Sequence, residues 1–502
     1  MIVITTASAD TYITNKLIET IPAVSGNVGR AGTVDIFKLY DESNYVTGAL
    51  ELSRALIKFD LGQVALLASS SIDITDPSFR AVVRMRSLSV GQPTPSNFTL
   101  DLYPLANPFE EGIGRDIISF ADVDYANFLQ RISGSSWNVT GAAASGSLGD
   151  SNIDYFVSGN LQDGQGLTSL RVSQVFQTGL EDLTMDVTRI VSATIAGVLP
   201  DNGYRISFSA AQESDGVTRF VKRFASRHVR DFSNRPTLTI SYDNSVIDNH
   251  SSSYFDTANS LVVHNTVRGQ YRNFLSGTAL TPITGPNCAI VRLATGSYVS
   301  YVTASQVVWA SPVTGIYSAS FTLPAASTGV ITGSVTIASA LAASGSITLD
   351  ERWTSIDGTV TFFSGSITVQ GVSAASATGG PRKLRPSVFS TPAGVTRGTP
   401  VRLRVAFFDD YENNKASRFP ISPRPLQVSE GRLRIRDIVT GRLLFDFDDP
   451  GSRLSCDTVS NYFDIQTHGF PLGIPLSVEF QFDIDGQRVQ LTNVPYRLTV
   501  SE

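Results

Sequence analysis

Pairs of adjacent carboxylates, of which three are considered as candidates, could do acid–base chemistry in this 502-residue sequence. The three candidate pairs are Glu110-Glu111, Asp409-Asp410 and Asp448-Asp449. A glycosidase needs two carboxyl groups held roughly 5–9.5 Å apart across a sugar. Adjacent acidic residues at strand ends are more often solvated loop charges, so these pairs alone do not indicate catalysis.

Residue types that bind metals are few, and they lack the spacing of a metal site. No His-x-x-x-His or Cys-x-x-Cys arrangement occurs, so we expect no zinc site. No Walker A loop and no serine-hydrolase elbow occurs either. The acidic turn at 446–449 could offer oxygen ligands to Ca²⁺, although it lacks the spacing of a dedicated calcium loop. We predict no catalytic residue, no metal ligand and no cofactor, with Ca²⁺ at this turn left open. The four histidines, expected to be surface or loop imidazoles, are His228, His250, His264 and His468.

Arginine dominates the basic residues, since 33 of 39 are Arg and six are Lys. Arg pairs with carboxylates through two hydrogen bonds and stacks on aromatic rings, so it suits interfaces. A genomic preference for Arg codons would give the same excess. Two alternating segments place arginines on one strand face, and we predict this face as an interaction surface, with an ordinary solvated face as the alternative. These arginines are Arg402, Arg404, Arg432, Arg434 and Arg436.

Three tryptophans, Trp137, Trp309 and Trp353, are the candidate platforms for a sugar ring. Trp is mostly buried in folded proteins, so packing in a core is the competing role for each of them. They are predicted as a site only under the hypothesis that the chain binds carbohydrate.

Strands must position these candidates, because almost every periodic segment alternates with period two. Residues 55–61, 98–103, 333–337 and 401–405 are examples. Gly, Pro, Asn and Asp punctuate the runs, as turns require. We predict an all-β fold of tandem antiparallel β-sandwiches, in which an N-terminal jelly roll is followed by two smaller Ig-like or sandwich domains.

Helical signals are few. The sequence predicts one short helix over residues 122–132. It predicts another over residues 186–196, with Asp186 as the N-cap before an apolar run.

Charge divides the chain into three parts. Residues 1–252 carry 27 acidic and 19 basic side chains, residues 253–371 carry four of each, and residues 372–502 carry 14 acidic and 16 basic. Shifts of this kind mark different surfaces and therefore suggest different domains.

Two segments of small polar residues, at 243–253 and 373–381, are predicted as the linkers between domains. The boundaries that follow are a first domain at 1–245, a middle domain at 253–372 and a third domain at 382–502. A chain of this length accommodates about three ordinary domains.

The overall composition excludes several classes of protein. Charged residues make up 17% of the chain and the net charge is −6, which argues against disorder and against a nucleic-acid binder held by bulk positive charge. Neither a signal peptide nor an apolar run long enough for a transmembrane helix is visible, so we expect no membrane partner. Cys288 and Cys456 are predicted to be independent thiols, although a long-range disulfide is the alternative.

Short motifs follow one another in a definite order along the first half of the chain. They are ADTYI at 9–13, ALIKFDL at 55–61, Trp137, DVT at 186–188, FASR at 224–227 and RPTLTISY at 235–242. This order resembles that of the DNRLRE-like β-sandwich domains, which are similar to carbohydrate-binding jelly rolls. The resemblance covers about residues 5–243, and it implies a jelly roll of a kind found in bacterial exoproteins and in structural proteins of tailed phages.

The third domain also resembles a phage module. Residues 462–465 (YFDI) and 473–480 (GIPLSVEF) are similar in style to Ig-like domains of accessory virion proteins. With the low charge of the middle domain, this favours a virion structural protein of the neck, tail, baseplate or fibre attachment, assembled in the host cytoplasm. Its predicted partners are copies of itself and other virion proteins, without nucleic acid.

Two alternatives remain open at this point. The first is a carbohydrate-binding adhesin, or an accessory module of a bacterial surface or secreted protein, with a glycan as its partner. The second, ranked last, is a polysaccharide-degrading enzyme.

Overall fold

The computed structural model describes most of the chain, and nearly all of its regular elements are strands. The described residues are 1–68, 72–89, 91, 94–121, 124–248, 250, 253–268, 270–277, 280–371, 384–389, 394–409, 425–426, 428, 430–457, 459–484 and 487–502. The predicted all-β class is confirmed. None of the helices in these ranges is both long and apolar enough to span a membrane.

The first domain contains seventeen strands and three short helices within its described residues. The strands are β1 (Ile2–Thr14), β2 (Leu17–Ile18), β3 (Ile21–Pro22), β4 (Thr33–Tyr40), β5 (Leu50–Phe59), β6 (Arg80–Met85), β7 (Phe98–Pro104), β8 (Gln130–Ile132), β9 (Ser135–Ser136), β10 (Ser145–Ser147), β11 (Tyr155–Asn160), β12 (Leu167–Ser169), β13 (Val172–Phe176), β14 (Leu183–Asp186), β15 (Tyr204–Phe208), β16 (Arg219–Ala225) and β17 (Thr237–Ser241). The helices are α1 (Gly62–Ala68), α2 (Thr188–Ile195) and α3 (Ala210–Ser214).

Two sheets of the first domain face each other across one apolar core. One runs β14-β6-β17-β1 and the other β13-β7-β15-β5-β1, so β1 belongs to both. Its first residues pair with β17, and after a register shift near Ala7 its later residues pair with β5. Val83 and Ile240 from the first sheet meet Ile57 and Leu102 from the second in the core. Alternation along each strand places every second side chain in this layer.

The middle domain is built on one seven-stranded sheet, in the order β18-β30-β29-β24-β25-β26-β19. One face carries the core, and it includes the fully buried Trp353 and Tyr317. Its strands are β18 (Ser253–Tyr254), β19 (Asn259–His264), β20 (Thr266–Val267), β21 (Gln270–Tyr271), β22 (Leu275–Ser276), β23 (Thr281–Pro282), β24 (Ala289–Thr295), β25 (Tyr298–Val308), β26 (Pro312–Phe321), β27 (Val330–Thr332), β28 (Val335–Thr336), β29 (Ser346–Thr354) and β30 (Thr361–Gln370), with one helix, α4 (Ile337–Ser344).

The third domain is a second sandwich. Strands β31, β33, β37 and β36 form one sheet, and β35, β34, β38 and β39 form the other, with β40 pairing β38. Phe407 and Phe463 from the first sheet pack with Ile435 and Phe480 from the second. The strands are β31 (Leu384–Phe389), β32 (Val395–Thr396), β33 (Pro400–Asp409), β34 (Arg432–Asp437), β35 (Leu443–Phe445), β36 (Ser455–Cys456), β37 (Asn461–Gln466), β38 (Leu476–Ile484), β39 (Gln487–Leu491), β40 (Arg497–Leu498) and β41 (Val500–Ser501).

Strand β1 joins the first and third domains, because it contributes to both cores. Val3 lies in the core of the first domain, whereas Ile2 and Ile4 lie in the core of the third. Ile2 also forms a parallel bridge with Ile465 of β37, so the sheets of the two domains are continuous. Successive side chains of a strand point to opposite faces, which lets one strand serve two cores.

The two helix predictions have different outcomes. The second helix is confirmed by α2, but its N-cap is Val187 and not the predicted Asp186, whose carboxylate accepts from the backbone N–H of Thr188 at 3.0 Å. The first is wrong for the described residues 124–132, which form bends followed by β8. The reason is local, since the side chain of Asn127 accepts hydrogen bonds from the backbone of Leu129 and Gln130 and offers the chain an alternative to helix.

The strand predicted at 333–337 is also wrong at both ends, since Gly333 and Ser334 form a turn. Only Val335 and Thr336 are extended, and Ile337 begins α4. Thr336 and Ser339 form a reciprocal capping box, which satisfies free N–H groups at the helix start. The two cysteines are buried and unpaired, as predicted, and lie in different domains.

Candidate functional site at the junction of the three domains

The predicted first linker, in its described part, is a half-buried strap between the domains, with Val246 and Asp248 buried. We call residues 243–248 the junction strap. Its backbone pairs with β36 of the third domain: Cys456 N–H donates to the Val246 carbonyl at 2.9 Å, and Val246 N–H donates to Ser455 Oγ at 3.1 Å. On the other side, Ser260 Oγ of the middle domain donates to the Ile247 carbonyl at 3.2 Å. The strap therefore binds the middle domain to the third.

A buried charged network anchors the end of the strap. His250 Nδ1 contacts the Asp248 carboxylate, and His250 Nε2 lies 3.0 Å from Oε2 of Glu351. Trp353 Nε1 donates to Oε1 of Glu351 at 2.5 Å. Burial by itself would lower the pKa of His250, but the hydrogen bonds that its ring donates to Asp248 and Glu351 raise it to about 10. The imidazole is therefore a cation held between two carboxylates.

Arg402 connects the third domain to the middle domain. Its guanidinium donates to both oxygens of Asp464, at 2.8 and 2.9 Å, and its third nitrogen donates to the hydroxyl of Tyr271 at 3.2 Å. The group also stacks 4.2 Å from the centre of the Tyr462 ring. Burial opposes the charge, yet the bonds to Asp464 raise the pKa of Arg402 above its usual range. Arg404 makes an equivalent pair with Asp457, at 2.7 and 3.0 Å.

The other three predicted arginines lie on β34, in the opposite sheet of the third domain. Arg434 bonds to Asp446 at 2.6 Å, and Arg436 bonds to Glu479 at 3.1 Å. Arg432 donates to the carbonyl of Phe447 at 2.8 Å. The structure thus separates the predicted arginine surface into two sets, and in both sets the guanidinium groups are engaged within this chain.

The three tryptophans have different environments. Trp137 and Trp353 are buried, and the indole N–H of Trp137 donates to the carbonyl of Asn127 at 2.9 Å. Trp309 instead lines a cavity of about 190 Å³ at the domain junction, together with Tyr271 and Arg402. Of the predicted platforms, Trp309 is the one that reaches a cavity.

The carboxylate pairs and the acidic turn do not assemble a metal site. In the described ranges no group of three or more His, Cys, Asp or Glu side chains could hold an ion. Asp446 is paired with Arg434, and Asp449 accepts from the backbone of Asp446. Asp410 of the second pair lies outside the described residues.

Residues of the family-like motifs form a buried cluster in the first domain. Glu111 pairs with Arg227 at 2.5 Å, and Asp10 accepts from the Arg227 backbone N–H at 2.6 Å. Burial raises the pKa of Asp10 to about 7. These contacts tie β1 to the segment after β16, so the motif residues have a structural role in this fold.

Sequence reasoning missed the network of Asp248, His250 and Glu351. The spacing Asp248-x-His250 is a local signal, because a carboxylate two residues away can accept from the imidazole. Glu351 comes from the middle domain, 101 residues further along the chain, and no local pattern connects the two.

Comparisons with known proteins identify no family for this chain. No protein-family model and no curated protein matches the chain. A titin structure is 12% identical, covering 51% of this chain and 95% of the titin chain, with a TM-score of 0.15. Trypsin-activated alpha-2-macroglobulin from Escherichia coli is 10% identical over 98% of this chain and 31% of its own, with a TM-score of 0.13. TM-scores this low carry no argument about function.

Proposed function

We propose that this protein is a structural component of a tailed-phage virion and acts through protein–protein assembly contacts. The observation that carries the proposal is the locking of three β domains into one unit. Strand β1 supplies side chains to two cores, and the junction strap hydrogen-bonds to the two domains that follow. Load applied to one domain would pass to the next through buried contacts, as a mechanical part requires.

Charge placement supports the same role. Charged side chains around the junction form ion pairs within the chain, such as Arg402 with Asp464 and Arg404 with Asp457. Arg402 and Asp464 are half-buried, Arg404 and Asp457 lie deeper, and two hydrogen bonds close each pair. Catalysis would instead require a reactive group left open to a substrate.

The middle domain offers a surface for assembly contacts. Its sheet face opposite the core exposes Tyr301 at 67% and Val299 at 38%, beside the half-buried Arg292 and the exposed Arg352. These residues are neighbours across β25, β24 and β29. Tyr and Arg are enriched at protein–protein interfaces, and few charges oppose burial here.

The proposal predicts that the chain is found on particles. Antibodies against the full-length protein should label tailed particles from the cells that carry this sequence at one fixed position in immunogold electron microscopy. A Tyr301→Glu variant should fold normally, since this side chain is exposed, and should be incorporated several-fold less well. Val439→Glu, which alters a 75% exposed turn of the third domain, is the control. Particles without label would refute the virion role.

Carbohydrate binding is a second candidate, favoured by the position of Trp309. Its ring lines the junction cavity beside Tyr271, Arg402 and Asp464, a mixture of aromatic and charged groups suited to a sugar. The full chain should then bind a defined glycan on an array, and Trp309→Ala should weaken binding about tenfold, or about 1.4 kcal/mol. Tyr301→Ala, which removes an aromatic ring elsewhere, should leave binding unchanged. Absence of binding to any glycan would count against this candidate.

A further inference from the structure

A groove lies between the first and third domains, away from the junction cavity. It has a volume of about 390 Å³ and is lined by three arginines and two aspartates, together with apolar side chains. Arg84 comes from β6 of the first domain, and Arg442 comes from the turn before β35 of the third. We call this feature the interdomain groove.

Both aspartates of the interdomain groove are already neutralised. Asp182 is paired with Arg86 and also accepts from the backbone N–H of Ser87 at 2.8 Å. Asp446 is paired with Arg434, which lies outside the groove lining. Among the described residues, Arg84 and Arg442 therefore have no carboxylate within ion-pair distance. Asp446 and Asp449 act on Arg84, and Asp182 and Asp231 act on Arg442, from further away.

Arg84 and Arg442 are held close enough to repel each other. Burial lowers the pKa of Arg442 to about 10; the neighbouring Arg86 and Arg84 act in the same direction, and Asp182 and Asp231 oppose them. Burial is also the largest cause that lowers the pKa of Arg84; Arg80 and Arg86 act in the same direction, and Asp449 and Asp446 oppose them. Arg84 donates to the carbonyl of Leu444 at 3.1 Å, whereas among the described residues Arg442 has no ion-pair partner within 4 Å. Two desolvated cations without a counterion are costly unless an anion joins them.

We propose that the interdomain groove binds a phosphate or sulfate group between the guanidinium groups of Arg84 and Arg442. A dianion matches the two uncompensated charges, and the planar guanidinium donates two hydrogen bonds to such an oxyanion. The hydroxyl of Thr184, which also lines the groove, provides a further donor. The cavity is wide enough to admit a larger molecule that carries this group.

The proposed ligand would join two domains. Arg84 belongs to the outer face of the first domain's sheet, and Arg442 belongs to the third domain that covers this face. An anion between them replaces repulsion by attraction across the domain contact. Binding should therefore raise the thermal stability of the full chain, because a ligand stabilises the state to which it binds.

The test is calorimetric titration of the full-length protein with inorganic phosphate and, separately, with glucose 6-phosphate, at constant ionic strength set with sodium chloride. We expect one site in the wild type and a rise in Tm with either probe. Tighter binding of glucose 6-phosphate would identify a phosphate ester as the natural group, and tighter binding of inorganic phosphate would identify the free anion. Failure of both probes to bind would overturn the proposal.

Arg442→Gln isolates the proposed contact, because the wild-type side chain has no carboxylate partner to lose. We expect phosphate binding at least about tenfold weaker, as for the loss of a charge-assisted hydrogen bond. Without phosphate, the variant should melt at the same temperature as the wild type or higher, since repulsion is removed. Arg84→Gln provides a second variant, and Arg488→Gln at an exposed pair is the control. Unchanged binding in both groove variants would refute the site.

Discussion

Replacing Gly469 by Ala is expected to separate the third domain from β1 and to lower the free energy of unfolding by about 3 kcal/mol or more. A Cβ at this position would lie 2.1 Å from the carbonyl oxygen of Ile4 and 2.5 Å from its carbonyl carbon. Both atoms belong to the backbone of β1, which is paired with β17 and cannot yield as a side chain would. The segment of the third domain that carries Gly469 must therefore move away from β1.

The loss in free energy of unfolding would exceed the cost of the steric clash alone, because Ile2 and Ile4 belong to the third domain's core. Moving β1 away would expose these side chains, each of which gains about 1.5–3 kcal/mol from full burial. Differential scanning calorimetry would measure the change, and limited proteolysis would show a third domain more readily cleaved. The control is Gly32→Ala, since a Cβ there has open space around it. Equal stability of the two variants would contradict the close approach of Gly469 to β1.

This dependence on β1 shows what a local pattern can and cannot predict. Alternation of apolar and polar residues identified strands such as 401–405, because each strand exposes one face and buries the other. Ile2, Val3 and Ile4 form a continuous apolar run instead, the signature of a strand buried on both faces. A run of this kind fits burial on both faces, but its second partner lies more than 450 residues away in the sequence, and no local pattern identifies it.

The arginine candidates also show which contacts a local sequence pattern predicts and which it does not. The pairing of Arg402 with Asp464 follows from strand register, since the two residues are directly opposite on β33 and β37. A reader of the sequence who aligned these strands could have found it. The contact of Arg402 with Tyr271 depends on how two domains dock, which no strand pattern encodes.

The junction strap was predicted as a linker because its residues are small and polar. Such composition usually marks exposed chain. Here the polar backbone groups are satisfied by Ser455 and Cys456, so the segment can be buried without unpaired hydrogen-bonding groups. The strap's burial is a consequence of tertiary contacts, and its sequence alone carries no sign of it.

Replacing Glu351 by Gln is expected to be the most damaging single change at the domain junction. Glu351 is 2% exposed and accepts from both His250 and Trp353. Removing its charge leaves the imidazolium of His250 with Asp248 alone. Breaking a buried pair by removing one partner typically costs about 3–5 kcal/mol. Urea unfolding at pH 7 would measure the loss. Asp350→Asn is the matched control, because Asp350 is exposed on the opposite face of the same strand.

The effect of Glu351→Gln should depend on pH in a defined direction. The pKa of His250 is about 10 in the folded protein, above its ordinary value of 6.5. The stabilisation that it contributes is therefore complete below about pH 6.5 and is lost as the pH rises through 10. At roughly 1.4 kcal/mol per pKa unit, several kcal/mol are at stake. The stability difference between wild type and Glu351→Gln should shrink steadily from pH 7 to pH 10, whereas Asp350→Asn should follow the wild type throughout. A difference that stayed constant with pH would show that Glu351 acts by packing alone, and that His250 is not the cation that holds the strap to the middle domain.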